Sequence, residues 1–191
     1  METRTMSDKR HVTQITKNLG YFAASHNLPS HDGGCWNLHG HNYGVTVTLE
    51  GWITHTEAED YSVPHDGMII DFTYIKDIYK EHIHSVVDHA HLFGTKLPSW
   101  YYTFIQLVKA DNDTTEEDAM ESVDIMLGKV AHLPIQNTTA ELMAGWILDT
   151  MQQGLTQYLS GLEGKDQLAV RIVAVELSET ESSIARVTYK E

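Results

Sequence analysis

The chain has 191 residues with a formal net charge of −14, and 41% of its residues are hydrophobic, which is typical of one soluble globular domain with a real core. The acidity argues against nucleic-acid binding, because that needs a basic face. A single cysteine excludes an intrachain disulfide and favours a reducing cytoplasm. The polar start is no signal peptide, and no apolar run could span a membrane.

The first part of the chain predicts two long strands that pair like a hairpin. After a tail over residues 1–10 that we expect to be frayed, residues 12–25 read as a strand with Gly20 as a possible bulge. A turn-rich loop leads to the clearest strand, residues 38–51, where apolar and small residues alternate. A polar connection follows over residues 52–65.

Two amphipathic helices are indicated by apolar residues at helical spacing. The first begins after Asp71, which stands where an N-cap belongs. The second runs from about residue 139 to 160, and Thr138 with Glu141 forms a capping box before it. The apolar face of the first helix consists of Phe72, Ile75, Ile78, Tyr79, Ile83, Val86 and Val87.

Two further strands, residues 168–177 and 183–189, close the predicted order of strand, strand, helix, helix, strand, strand. Residues 94–133 fit this order least well, and we interpret them as an insertion between the two main helices of a single domain. Within it, residues 100–108 predict a strand and residues 114–127 an acidic helix capped by Thr114.

A short motif, Cys35-Trp-Asn-Leu-His39-Gly-His41, enters the clearest strand. Residues two apart on a strand point to the same face, so His39 and His41 can reach one ion from the same side. A catalytic zinc site needs three protein ligands and one open position. His26 ends the first strand, and hairpin pairing would bring it alongside as the third ligand. The sequence therefore predicts a Zn²⁺ site.

Cys35 has three possible roles at this point. As the only cysteine, in a turn-rich loop beside the histidines, it could be the reacting side chain. It could instead be a fourth zinc ligand, which would close the site and make the metal structural. It could also be a small buried hydrophobic residue, the usual fate of a free cysteine.

Two other polar pairs are candidates for chemistry. Asp88 precedes His89 at the end of the first helix, and a carboxylate can orient an imidazole and raise its basicity. The simpler interpretation is a polar helix end. Glu179 and Thr180 follow a strand, where a carboxylate could accept two N–H bonds from a guanidine-like heterocycle. The simpler interpretation there is a solvated loop.

Taken together, these segments resemble the 6-pyruvoyl-tetrahydropterin synthase family, and in particular its 6-carboxy-tetrahydropterin synthase branch. The segments occur in the family's order and span most of the chain. The gap of three residues between Cys35 and His39 is similar to that branch. The matching segments are residues 21–26, 35–41, 67–72, 88–89, 138–142 and 179–180.

The resemblance implies an α+β fold called the T-fold, with a four-stranded antiparallel sheet and two helices on one face. It also implies that subunits join into barrels, usually stacked as a homo-hexamer, with active sites shared between subunits. Such a partnership would protect the two edges of a small sheet.

The resemblance also implies roles for individual residues. His26, His39 and His41 would be the zinc ligands, and Cys35 the catalytic base. Asp88 and His89 would complete a proton relay, while Glu179, with Thr180 beside it, would bind the pterin ring. Glu141 would assist there, although its capping role is sufficient explanation.

The substrate that the resemblance implies is 7,8-dihydroneopterin triphosphate. In the carboxy-forming branch its side chain is cut to give 6-carboxytetrahydropterin, acetaldehyde and triphosphate, for queuosine and other 7-deazaguanine synthesis. A second hypothesis is a pterin enzyme that eliminates triphosphate without cleaving carbon–carbon bonds. A third is a zinc-stabilised binding module without turnover. Gly34 and Asn27 stand where the family usually has Lys and Arg.

Overall fold

A computed structural model describes residues 12–53, 67–111, 114–161 and 170–189. The expected tail over residues 1–10 and most of the polar connection over residues 52–65 lie outside these ranges. The described part is a mixed sheet with helices against it. Among the described residues, no helix combines the length and apolar character needed to cross a bilayer.

The sheet has six strands in the order β4-β3-β1-β2-β5-β6. Its antiparallel part contains the four predicted strands. Two short strands, β3 and β4, extend it in parallel beside β1 and were not predicted, since runs of four and three residues carry no readable alternation. The strands are β1 (Val12–His26), β2 (His39–Trp52), β3 (Ala90–Phe93), β4 (Val130–His132), β5 (Val170–Ser178) and β6 (Ile184–Thr188).

The predicted bulge at Gly20 is confirmed. The β1–β2 register shifts between Asn18 and Gly20, and Gly20 has φ 102°, which few residues other than glycine adopt. Beyond the bulge, His26 pairs directly with His39, as the hairpin interpretation requires. The alternation predicted for β2 also holds, because the residues on the same face as the two histidines are fully buried: Tyr43, Val45, Val47 and Leu49.

The first predicted helix is present, but a π-helical turn interrupts it. Asp71 is its N-cap, accepting a hydrogen bond from the Thr73 amide. Its segments are α1 (Phe72–Tyr79), the π-helical turn Lys80–His84 and α2 (Ser85–Val87). Its buried residues, Ile75, Ile78, Tyr79, Ile83 and Val87, pack against the sheet in one core.

The second main helix, α5 (Ala140–Ser160), has its cap and its first residue one position later than predicted. Thr139, not Thr138, accepts the capping bond, from the Leu142 amide. Thr138 is instead buried, with its hydroxyl directed at the Asn27 carbonyl. The predicted capping box of Thr138 and Glu141 is therefore wrong. Two adjacent threonines have the same side-chain hydroxyl, and the burial of Thr138 leaves Thr139 as the cap.

Residues 94–133 contain two helices, α3 (Ser99–Asp111) and α4 (Glu116–Leu127). The predicted strand over residues 100–108 is wrong, because Tyr101 and Ile105 share one helical face and bury it in a second core. The acidic helix is confirmed, but its cap is Thr115 rather than Thr114. The second core consists of Phe93, Tyr101, Ile105, Ala119 and Val123.

Candidate functional site

Three histidines meet at the joined ends of β1 and β2. One nitrogen from each of His26, His39 and His41 lies within 4.8 Å of the corresponding nitrogens of the other two. The ring centroid of His26 lies 4.6 Å from that of His39 and 5.3 Å from that of His41. Among the described residues, no other group of histidine, cysteine and acidic ligands meets this criterion. The triad forms without the Cys35 thiol and could hold one metal ion.

Backbone carbonyls orient two of the three rings. His26 donates from Nδ1 to the Thr138 carbonyl at 2.8 Å, and His39 donates from Nδ1 to the Asn37 carbonyl at 2.8 Å. A carbonyl can only accept, so in the neutral form of each ring the proton is on Nδ1 and Nε2 is the nitrogen available to a metal. Carbonyl partners of this kind are typical of metal-binding histidines.

Burial holds His26 neutral. Its side chain is 1% exposed, and this desolvation, with the neighbouring His39 and His41, lowers its pKa from 6.5 to about 4 although the Thr138 carbonyl opposes the shift. Nε2 of His26 and Nε2 of His41 are buried without a hydrogen-bond partner. Unpartnered buried nitrogens are costly, so a cation at the triad would satisfy them.

Glu179, just after β5, brings a carboxylate to the triad. Its Oε1 lies 3.4 Å from Nε2 of His26 and 3.6 Å from Nε2 of His41. The loop that carries it is closed by a hydrogen bond from the Glu179 amide to the Ser183 carbonyl. Thr180 lines the same cavity as Glu179. A carboxylate here can balance a metal charge or accept N–H bonds from a ligand.

Cys35 lies on a short 3₁₀ turn, Gly34–Trp36, and is half-buried. The Leu28 amide donates to the Cys35 carbonyl at 2.8 Å, and the Asn27 side chain donates to the Trp36 carbonyl, so the loop is held from inside. Burial, Glu179 and, to a smaller extent, Cys35 raise the pKa of Tyr43 above its usual range. Tyr43 is a neighbour of the triad, with its ring centroid 5.5 Å from that of His41.

Asp88 and His89 form a hydrogen-bonded pair where α2 meets β3. Asp88 accepts from the Ala23 amide at 3.0 Å and from Nδ1 of His89 at 2.8 Å. Burial favours its neutral form, but these two bonds and the nearby His84 outweigh it and lower the pKa of Asp88. His89 has φ 59°, the left-handed region, and its side chain is 80% exposed. Strain of this kind is a feature of functional sites.

Two cavities with part of their lining in common lie beside the pair and beside His41 of the triad. One, of about 420 Å³, is lined by His41 and His89 among others. The other, of about 780 Å³, is lined by Asp88 and Glu179. Ala23 and Asn42 border both cavities. Of the triad, only His41 lines one of these two cavities, so a ligand there could reach His41, the Asp88–His89 pair and Glu179.

Glu141 is a predicted site residue that lies apart from the two cavities. It is exposed in the first turn of α5 and lines neither of the two cavities. The structure adds three residues that sequence reasoning missed: Thr138 and Asn37 through their carbonyls, and Tyr43 through its buried hydroxyl. Of these, only Tyr43 gave a signal, since it shares the face of His39 and His41 in the alternating strand.

Comparison with known proteins decides the family. A protein-family model described as 6-pyruvoyl tetrahydropterin synthase matches residues 14–190. The chain belongs to this family. A curated relative, the 6-carboxy-5,6,7,8-tetrahydropterin synthase of Haemophilus influenzae, is 38% identical over 80 residues, which are 42% of this chain. The matched stretch spans about half of that relative, 52% of its length.

Solved structures share the fold, among them two that are named 6-pyruvoyl tetrahydropterin synthases. The synthase of Plasmodium vivax superposes with a TM-score of 0.60 at 19% identity, covering 95% of this chain and 99% of that one. The synthase of Caenorhabditis elegans gives 0.53 at 18% identity, covering 95% and 98%. An uncharacterized protein of Wolinella succinogenes gives 0.65 at 20% identity, covering 94% and 99%. The α+β T-fold expected from the sequence is confirmed.

Proposed function

We propose that the protein is a zinc-dependent 6-carboxytetrahydropterin synthase. It would convert 7,8-dihydroneopterin triphosphate and water to 6-carboxy-5,6,7,8-tetrahydropterin, acetaldehyde and triphosphate, for queuosine and other 7-deazaguanine synthesis. The observation that carries the proposal is the triad of His26, His39 and His41, one member of which, His41, lines the same cavity as His89. The partial match to the Haemophilus enzyme supports the carboxy-forming branch.

The residues of the triad fit zinc. Three imidazoles with free Nε2 atoms are a common zinc donor set, and they leave a fourth position for substrate. Two of those atoms are buried without partners, and the lowered pKa of His26 keeps its ring in the neutral form that binds metal. When bound, zinc would polarise the side-chain hydroxyls of the substrate and acidify them.

The protein's own groups supply the proton movements. Cys35, a half-buried free cysteine, would as thiolate accept a proton from the substrate side chain. His89 would hold or deliver a proton at Nε2, since its Nδ1 is bonded to Asp88. Glu179 would accept N–H bonds from the pterin ring, with Thr180 beside it. Glu141, exposed on α5, would act only at the margin of the site.

The wider setting follows the same proposal. The substrate is a small anionic molecule, and neither nucleic acid nor membrane is a partner. A single cysteine suits work in a reducing cytoplasm. We also propose that the active form is a homo-oligomer, a hexamer in the simplest case, because His89 presents an 80% exposed ring that a neighbouring subunit would cover.

Product analysis tests the reaction. The zinc-loaded protein is incubated with 7,8-dihydroneopterin triphosphate, and the pterin product is identified by mass spectrometry while acetaldehyde is trapped as a hydrazone. The proposal expects 6-carboxytetrahydropterin with one equivalent of acetaldehyde. What supports it is a group of three histidines that could hold a metal without Cys35, which leaves the thiol for a role in the chemistry.

A second candidate is triphosphate elimination to 6-pyruvoyltetrahydropterin, which the description of the matching family model favours. It would give a pyruvoyl product and no acetaldehyde. A chain that binds zinc and pterin but forms neither product would be a binding module, the third hypothesis. Each of these two results would contradict the proposed lyase activity.

A further inference from the structure

We propose that Lys129 is a positioning residue for the Asp88–His89 pair, and that the segment 94–133 thereby supports the active site. The inference rests on the proposed function in taking this pair as catalytic. It assigns a role to a segment that neither the triad nor the cavities around it use.

The ammonium group of Lys129 holds the end of the helix that carries the pair. Nζ donates to the Ser85 carbonyl at 2.8 Å and to the Asp88 carbonyl at 2.8 Å. Carbonyls in the last turn of a helix have no amide partner within the helix. A lysine there can donate hydrogen bonds to them, and its positive charge interacts favourably with the negative end of the helix dipole. One side chain therefore ties the last helical turn to the backbone of Asp88 itself.

Lys129 is itself fixed by its backbone. Its carbonyl accepts from the His91 amide at 2.8 Å, and the next residue, Val130, begins β4 and pairs with His91 of β3. Before it, Gly128 ends α4 with φ 96°, a conformation that favours glycine and turns the chain towards β3. The lysine is thus placed by both α4 and β4.

The pair needs such support because its backbone is strained. His89 has φ 59°, and a residue in this region persists only where its surroundings determine it. On one side, β1 supplies two bonds: the Ala23 carbonyl accepts from the His89 amide at 2.6 Å, and the Ala23 amide donates to the Asp88 side chain. Lys129 supplies the support on the other side, through the Asp88 carbonyl.

The segment also packs against β3, directly after the pair. Phe93, the last residue of β3, contributes to the second core, with its ring 5.2 Å from that of Tyr101. Tyr101 in turn donates to Asp124, which also bonds His132 of β4 at 2.9 Å. Consecutive contacts therefore connect the Asp88–His89 pair to β4, α3 and α4. Within this segment, Lys129 is the residue that bonds directly to the backbone of the pair.

Steady-state kinetics of three variants test the role. Lys129→Met removes the donor and keeps the aliphatic stem, Lys129→Arg keeps a cation that can reach both carbonyls, and Lys109→Met is the matched control. Lys109 lies in the same segment, but its partner is Glu116 on α4, 3.7 Å away. A misplaced catalytic group can cost up to about 100-fold in rate, so we expect Lys129→Met to lower kcat by roughly 10- to 100-fold with KM within about twofold.

Lys129→Arg should recover most of that kcat, and Lys109→Met should match the unsubstituted protein. Zinc content and melting temperature are measured on the same preparations, because a purely structural tether would lower kcat only in proportion to the folded, metal-loaded fraction. A Lys129→Met variant with normal kcat per folded, zinc-loaded subunit would overturn the proposal.

A readout without turnover separates this inference from the proposed function. Nitrogen NMR of the His89 ring, assigned by its loss in His89→Gln, reports whether Nδ1 carries the proton bonded to Asp88. We expect one tautomer in the unsubstituted protein and a mixture in Lys129→Met, with Lys109→Met unchanged. An unsubstituted protein that shows no turnover refutes the proposed function, whereas an unchanged His89 tautomer in Lys129→Met refutes the role of Lys129.

Discussion

His26 is both a candidate metal ligand and a deeply buried side chain. The carbonyl of Thr138 fixes its tautomer, while the surrounding protein lowers its pKa to about 4. In the metal-free protein this ring is a buried neutral base with an unpartnered Nε2. Its protonation must therefore oppose folding.

The metal-free protein should lose stability as the pH falls from 6.5 to about 4. The folded pKa of His26, about 4, lies below its unfolded value of 6.5, so above pH 6.5 both states are neutral and the full stability is present. Below pH 6.5 the unfolded chain binds a proton at His26, whereas the folded chain does not until the pH approaches 4. The resulting loss in the free energy of unfolding is about 3 kcal/mol near pH 4.

Urea denaturation of the metal-free protein at several pH values measures this loss. Other groups titrate in the same range, so the relevant quantity is the difference from a His26→Gln variant, which cannot bind the proton. The difference in unfolding free energy between the unsubstituted protein and His26→Gln should change with pH between 6.5 and about 4. Above pH 6.5 it should be constant. A difference that stays constant across this window would show that His26 is not buried as a neutral base.

Cys35 does not belong to the group of three histidines, so its proposed role is that of a base and not of a ligand. Cys35→Ala should keep zinc, the melting temperature and the oligomer, but lose turnover by about 10²- to 10⁴-fold, the usual contribution of a general base. His39→Ala is the comparison, since loss of a ligand should lower zinc content directly.

Zinc content, melting temperature and product formation are measured on the same preparations of both variants. If Cys35→Ala loses zinc and stability together, the thiol is a structural ligand. If its stability falls modestly while turnover per folded molecule holds, the thiol is only packed. Either result removes the catalytic role proposed for Cys35.

The triad could be predicted from the sequence because each step was local. Alternation in β2 placed His39 and His41 on one face, and hairpin pairing brought His26 opposite His39. The carbonyl of Thr138 could not be predicted, since it meets His26 across 112 positions and a backbone atom leaves no mark in the sequence. The placement of Glu179 against the triad likewise depends on how β5 ends beside β2.

At the scale of elements, periodicity identified the four long strands and the two main helices. The errors lie where two signals compete. Residues 100–108 are aromatic and β-branched enough to favour a strand, but Tyr101 and Ile105 gain more by burying one helical face in the second core. Both predicted caps were placed one residue early, at Thr138 and Thr114, because a threonine follows each of them.

The cap of α4 gives a prediction with a built-in control. Thr115 accepts from the Asp118 amide at 3.1 Å, whereas Thr114 makes only a 3.5 Å contact with the Asp118 side chain. Thr115→Ala should therefore destabilise α4 by about 1 kcal/mol, and Thr114→Ala by less than about 0.5 kcal/mol.

Amide hydrogen exchange read by mass spectrometry on peptides from α4 measures both variants, because it reports local opening of Glu116–Leu127. Exchange should quicken in α4 for Thr115→Ala and stay at the reference rate for Thr114→Ala. Equal effects of the two substitutions would mean that the cap is shared and that the helix begins elsewhere.

At the scale of the whole molecule, the sheet has two edges to which no other strand of the described residues is paired. Its two edge strands are β4, with three residues, and β6, which carries Ile184 with its side chain 61% exposed. Tyr21, on β1, is 65% exposed beside the larger cavity. Unpaired edges and exposed apolar side chains around a cavity are typical of surfaces that pair with another subunit.

We therefore predict a homo-oligomer, hexameric in the simplest case, whose integrity depends on the β6 edge. Ile184→Lys places a charge on that edge and should shift the protein towards smaller species with lower activity, because charged residues oppose edge pairing. Ile125→Lys is the matched control, since Ile125 is 72% exposed on α4, in the second core's helix pair rather than on a sheet edge. Sedimentation velocity, with turnover measured on the same samples, should show the shift for Ile184→Lys alone. A stable and fully active monomer of the unsubstituted protein would contradict the prediction, because it would mean that the exposed His89 and the sheet edges need no second subunit.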